Sequence, residues 1–255
     1  MTGRDEFFIG WSRSIGSGLR RFLAVTAAVI VGALAVVSFV LASSITDPAR
    51  SLLGADAVPG EWQEVTLSGI LTSEPYPFLR IAPGASHTTE HGVLLSGDGK
   101  RAAAFDRAGL EGRLVEVKGL LLKRGSIDML AVTESPRPLQ PAAAATAVAP
   151  KALGRWRAVG EICDGKCGAG IMSPGTGIAH KACASLCLIG GVPPVLVLTH
   201  PLEGHRFLMI SDGNGRALGD GILRFIGMRI EVEGDVELRG DVALMRIDLG
   251  RMRRL

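Results

Sequence analysis

All four cysteines of the 255-residue chain lie within 25 residues, as two pairs of equal spacing, Cys163/Cys167 and Cys183/Cys187. His180 stands three residues ahead of the second pair. Such a grouping supports three chemistries. Four thiolates, or three with His180, suit zinc, Cu(I) or an iron–sulfur cluster. An even cysteine count in a loop-rich segment of an exported protein suits two disulfides. Thiol–disulfide exchange needs a thiol whose pKa is lowered by a neighbour, here His180 or a helix N-terminus. The spacing bears on each. C-x3-C is not the commonest zinc spacing, and the chain has no CxxC and no CxxCH, which argues against thioredoxin-like exchange and covalent haem. Two cysteines four apart on a helix diverge at Cβ. A disulfide framework would therefore cross-pair the two groups, Cys163 with Cys187 and Cys167 with Cys183, or the reverse.

The elements around these residues follow from local signals. AHKACASLCLIGG forms a helix of about three turns, stopped by Gly190-Gly191 and by Pro193-Pro194. On it His180, Cys183 and Cys187 fall at i, i+3 and i+7, one face. The first pair sits in ICDGKCGAG, the tail of a strand entering a glycine-rich turn, and SPGTG (173–177) is loop. Residues 161–194 thus read as an insertion after a first strand.

The rest of the chain is patterned as β-structure, and two segments align without gaps at a constant offset of 115 residues. GRLVEVKG (112–119) matches GMRIEVEG (227–234), GVLLSGDGKR (92–101) parallels FLMISDGNGR (207–216), and IDMLAV (127–132) parallels VALMRI (242–247). VEVKGLLLKRG and IEVEGDVELRG alternate apolar with polar residues, the period of half-buried strands. Gly119 and Gly234 interrupt them as bends. Short helical segments fill 102–110 and 217–226. The last fifty or so residues of each copy resemble the OB fold, in particular short extracytoplasmic OB-like domains of bacteria; a small β-sandwich is the alternative. SPRPLQPAAAATAVAPKALG (135–154) reads as a Pro/Ala linker. The expected order is a tail (1–21), an anchor (22–44), a tether (45–60), a first OB-like domain (61–134), the linker (135–154) and a second OB-like domain (155–255) carrying the insertion. The fold class is mainly β, with a transmembrane helix and two tandem small β-barrels. The block CDGKCGAGIMSPGTGIAHKACASLCLIGGVPP also resembles a signature of membrane-anchored bacterial proteins with which no established activity is associated.

The hydrophobic content of 47% is high for a soluble protein, and one segment accounts for most of the excess. Phe22–Leu41 is twenty residues without a charge, about 30 Å as a helix, the thickness of a bilayer core. Arg4, Arg13, Arg20 and Arg21 precede it, and Arg50 is the first basic residue after it. Basic residues stay on the cytoplasmic side. This places the N-terminus in the cytoplasm of a bacterial inner membrane and the main body in the periplasm. A cleaved signal peptide ending near Ala42-Ser43-Ser44 is the alternative. The net charge of +3, one Tyr and three Trp argue against nucleic acid as partner.

Other candidate sites are weaker. His87-Thr88-Thr89-Glu90-His91 matches H-x-x-E-H, but Pro83, Gly84 and Gly92 deny it the long helix that motif requires. Tyr76, between Pro75 and Pro77, belongs to a turn that packs on the sheet or caps a groove. His200 and His205 flank Pro201 in a loop, whose polarity accounts for them; a reach of His205 to the insertion is the alternative. The chain shows no phosphate loop, no G-x-S-x-G elbow and no convincing pair of carboxylates. The sequence therefore favours a non-enzymatic, membrane-tethered binding or assembly module serving a membrane or periplasmic protein complex. In that reading disulfides hold the insertion, no cofactor is needed, and the GGVPP edge and EPYPF loop offer contact surface. The competing reading is a metal or redox protein using Cys163, Cys167, His180, Cys183 and Cys187.

Overall fold

The structure, a computed structural model, describes residues 16–44, 63–84, 87–124, 126–139, 149–172 and 175–255. The expected tether, residues 1–15 of the expected tail and the middle of the expected linker, 140–148, lie outside the described residues. The chain divides into two compact units, Met1–Thr46 and Asp47–Leu255. The first contributes helix α1, Ser17–Ser44. Its Ser17–Leu41 stretch contains an 18-residue window of mean hydropathy 2.6 and is long enough to cross a bilayer, a property shared with signal sequences. The helix begins ahead of Phe22 because Leu19, Arg20 and Arg21 are good helix formers.

The second unit is built on two six-stranded sheets. In the first, β1 (Gln63–Thr72), β2 (Phe78–Ile81), β3 (His91–Ser96), β4 (Leu114–Arg124), β5 (Ile127–Val132) and β6 (Arg137–Pro138) pair in the order β1-β2-β3-β5-β4-β6. A further pairing of β1 with β4, from Gln63↔Leu121 to Ile70↔Leu114, closes five strands into a barrel. The β3–β5 pair is parallel. The chain between β3 and β4 carries helix α2 (Arg107–Leu110), whose Gly109 amide is capped by the Asp106 side chain.

The second sheet, β7 (Lys151–Asp164), β8 (Pro194–Leu202), β9 (His205–Asp212), β10 (Ile230–Arg239), β11 (Val242–Ile247) and β12 (Arg253–Arg254), is barrel-like. Its pairings run in the same sense: β7–β8 and β8–β9 antiparallel, β9–β11 parallel, and β10 against both β11 and β7. The stretches that align at the 115-residue offset fall on β3 and β9, β4 and β10, β5 and β11. β6 and the start of β7 take up the two ends of segment 135–154.

Burial explains the patterning. β4 and β10 alternate buried with half-buried positions, as their sequences do. The glycines that interrupt them are close approaches. A Cβ on Gly119 would collide with the Ala131 carbonyl, and one on Gly234 with that of Arg246. One apolar cluster, including Leu71, Leu79, Leu95, Val117 and Leu130, fills the first barrel, and another, including Ile162, Leu196, Leu208, Ile210 and Met245, lies inside the second sheet. A third joins them: Phe78, Leu94 and Met129 of the first sheet meet Val195, Phe207, Met209, Cys163 and Cys187 of the second. Phe78, Leu94 and Met129 are almost fully buried, and each such side chain contributes about 1.5–3 kcal/mol.

Polar links reinforce this junction. The Leu218 amide donates to Tyr76 Oη at 2.9 Å, and Arg239 donates to the Glu74 carbonyl at 2.9 Å. His91 lies between two carboxylates, Nδ1 at 2.6 Å from Asp241 and Nε2 at 3.0 Å from Asp128.

Candidate metal centre

Residues 161–194 run from β7 to β8 and occupy the face of the second sheet that meets the first. β7 delivers Cys163 and Asp164 into the interior, 1% and 0% exposed. The chain then tightens into a turn, Cys167–Ile171, in which Gly170 takes φ 111, a value that favours glycine. A 3-10 turn, Ile178–His180, leads into helix α3, Lys181–Ile189, which ends at Gly190. The helix, its stop and the inward face shared by His180, Cys183 and Cys187 follow the local sequence signals.

The four sulfurs, the imidazole and one carboxylate converge. Three overlapping groups, Cys167/His180/Cys183, Cys163/Asp164/His180 and Asp164/Cys167/Cys187, each hold their donor atoms within 4.8 Å of one another. Two ligands on opposite sides of one thiolate-bound ion stand about 4.6 Å apart at most, so each group has the size of a coordination sphere. Together they offer six donors, more than one tetrahedral ion takes.

The disulfides expected from the compartment are not formed: none of the four cysteines is bonded to another. The sulfurs have other partners. The Cys163 thiol donates to the Gly175 carbonyl at 2.6 Å. Cys183 Sγ accepts from Lys100 Nζ at 2.6 Å, and Cys187 Sγ lies 3.9 Å from the same ammonium.

Electrostatics differ from thiol to thiol. Burial pushes the Cys163 thiol well up, and the neighbouring Asp164 charge adds to it. Cys167 is raised by its hydrogen bond with Cys187 and by burial, and the same bond lowers Cys187. Burial holds His180 below the ordinary imidazole value, against the pull of Asp164. Asp164 Oδ1 accepts from the Cys167 amide at 3.0 Å. Asp164 Oδ2 and His180 Nε2 are buried 3.7 Å apart, within ion-pair reach but too far for a hydrogen bond, and neither has a hydrogen-bond partner. Orphaned buried donors and acceptors cost about 1–3 kcal/mol each. Two such atoms beside four thiols fit a cation held among them.

The site is completed by the other sheet. Loop 97–102, which follows β3, is tied to the insertion at three points. Lys166 Nζ, 3% exposed, donates to the carbonyls of Gly97 (2.8 Å) and Gly99 (2.9 Å). The Ala102 amide donates to the Gly190 carbonyl at 2.7 Å. Lys100 reaches Cys183. A Cβ on Gly190 would strike the Lys100 carbonyl, so that position requires glycine.

The five residues singled out from sequence are brought together. Asp164, Lys100 and Lys166 join them at the site without having been singled out from sequence. Asp164 had a signal, its place beside Cys163 in a C-D-G run, whereas Lys100 lies 83 residues from its sulfur partner.

The remaining candidates fall elsewhere. His87 and His91 stack at 3.9 Å, but Glu90 is held by Arg80 in a two-point pair at 2.8 Å and both His91 nitrogens face carboxylates. H-x-x-E-H therefore builds no zinc site. His205 opens β9, is lowered by burial and is absent from the donor groups. Tyr76 is buried, and burial raises its phenol. Pro75 and Tyr76 share a cleft of about 190 Å³ with Gly191, Val192 and Pro194, so the EPYPF loop and GGVPP edge line one cavity.

No family model, no curated protein and no solved structure matches the chain.

Proposed function

We propose that the chain is a membrane-tethered, extracytoplasmic protein whose insertion holds a thiophilic metal ion or cluster. The observation that carries this is the pair of unpartnered buried atoms, Asp164 Oδ2 and His180 Nε2, set among four unbonded thiols. Cys163, Cys167, His180, Cys183 and Cys187 are the proposed ligands, with Asp164 as a further ligand or as the acceptor that orients His180. Zinc takes thiolate, imidazole and carboxylate alike; Cu(I) or an iron–sulfur cluster would rest on the thiolates. Lys100 supplies positive charge beside a thiolate-rich centre. The scaffold is read as two tandem OB-like barrels, a reading supported by the common strand order and the parallel β3–β5 and β9–β11 pairs. The basic residues ahead of the apolar stretch Phe22–Leu41 support a cytoplasmic N-terminus and a periplasmic body. The shared cleft of Tyr76 and Val192 is the surface offered to a membrane or periplasmic protein partner.

The full chain, purified in detergent without chelator, is assayed by elemental analysis and by the absorbance of its Co(II) form. Stoichiometric metal that is lost in Cys183→Ser and His180→Ala is expected. A metal-free protein whose intact mass is lower by two hydrogens for each of two disulfides overturns the proposal and restores the stapled module.

A further inference from the structure

Five large apolar side chains outside α1 are exposed among the described residues, and four of them belong to the insertion: Met172 (40%), Ile178 (72%), Leu186 (55%) and Ile189 (63%). The fifth is Leu255, the last residue. On α3, Ala182, Leu186 and Ile189 stand at i, i+4 and i+7, all exposed, with Ile178 and Ala179 in the turn just before. The outer face of α3 is therefore apolar along its whole length, opposite the face that carries Cys183 and Cys187. Among the described residues nothing covers that face, and a contiguous apolar patch on an otherwise polar surface marks an interaction site.

Charge and covalent geometry identify what it meets. Lys181 lies on the same helix, its Cβ near residue 227. The turn Asp220–Phe225 packs beside α3 and brings Arg224, over the Phe225 ring at 4.8 Å. Arg254 lies over the same ring at 5.7 Å, and Arg229 is exposed nearby. Acidic groups also stand on this side: Asp220 opens the turn, Glu161 accepts from the Gly177 amide at 2.5 Å and shares a cleft with Arg229, and Glu231 is paired with Arg253. An apolar helical face with a basic rim is the composition of a helix that lies in the headgroup region of an anionic bilayer. Eighteen residues, 45–62, separate α1 from β1. At no more than about 3.6 Å per residue, a segment of that length reaches at most roughly 65 Å.

We infer that the outer face of α3 docks on the anionic lipid surface of the membrane that anchors the chain. The inference rests on the tethered reading above and is independent of the metal. Ile178, Leu186 and Ile189 enter the acyl boundary, Lys181, Arg224, Arg229 and Arg254 meet lipid phosphates, and the cysteine cluster is held at the membrane surface.

The test uses the full chain carrying Leu186→Trp or, separately, Ile189→Trp, at one chain per nanodisc. The lipids, phosphatidylcholine alone or mixed with phosphatidylglycerol, carry brominated acyl chains. The added indole is expected to be quenched beyond the parent chain's own tryptophans in the anionic discs, and less in pure phosphatidylcholine. Lys181→Gln is expected to lower the docked-to-free ratio roughly fivefold, and raised salt to lower it further. Both new indoles unquenched in chains retained in the disc overturns docking while leaving the anchor intact. Chains absent from the discs refute the anchor. Shielding that requires a second copy assigns the face to self-association and also overturns the proposal. Elemental content of the same samples reports separately on the metal.

Discussion

His91 ties the stability of the body to pH in a direction opposite to acid denaturation by carboxylates. Its side chain is 12% exposed, held between Asp128 (10%) and Asp241 (39%). The hydrogen bonds to these two carboxylates, first Asp128 and then Asp241, raise its pKa to about 9, outweighing burial. Asp241 is correspondingly lowered: its own burial acts upward, but the bonds from His91 and the Gly92 amide prevail. Because the folded pKa lies above the unfolded value of about 6.5, the imidazolium stabilises the fold fully below pH 6.5. That contribution is lost as pH rises through about 9. A shift of this size is worth about 3 kcal/mol at 1.36 kcal/mol per unit, and the exposure of Asp241 to solvent brings it to about 2 kcal/mol. Urea unfolding of the full chain in detergent, followed by tryptophan fluorescence between pH 6 and pH 10, reads it against His91→Gln. Thiols, lysines and tyrosine titrate in both proteins and cancel in the difference. The wild-type advantage is expected to shrink by about 2 kcal/mol from pH 6.5 to 9.5. A difference that stays flat across this window, or one that grows with pH, refutes the assignment of His91 as a charged bridge between the two sheets.

Two further outcomes probe the junction and the cover of the site. Gly190→Ala drives a methyl into the Lys100 carbonyl and is expected to cost about 1–3 kcal/mol, with hydrogen exchange rising first in loop 97–102 and α3. Met129→Ala opens a cavity where the first sheet meets the cysteine cluster; about 2–5 kcal/mol is expected in urea unfolding, with increased reactivity of Cys163 toward thiol reagents.

Local periodicity was enough to read the elements. Alternation in VEVKGLLLKRG and IEVEGDVELRG marked β4 and β10, Gly190-Gly191 marked the end of α3, and the i, i+3, i+7 spacing placed His180, Cys183 and Cys187 on one face. What decided the site's final composition was not local. Lys100 and its loop come from the first sheet, and nothing in KRAAAF announces a thiol partner. The join between the sheets was equally hidden, since Phe78, Leu94 and Met129 read as ordinary strand residues whichever core they fill. The expectation of disulfides followed from compartment and cysteine count, which say nothing about whether a carbonyl and an ammonium already engage the sulfurs. Asp164 carries a sequence signal in its place beside Cys163, but only the fold shows its second oxygen buried without a hydrogen-bond partner.

The dependence of the cysteine insertion on loop 97–102 has a consequence for the order in which the chain is made. The first barrel, with Lys100 and six of the seventeen residues of the shared core, is encoded entirely ahead of Cys163. N-terminal units fold first during synthesis. If the first barrel folds in that order, each thiol emerges beside loop 97–102 already in place, and the direction of synthesis shortens the interval in which four reactive sulfurs sample wrong partners.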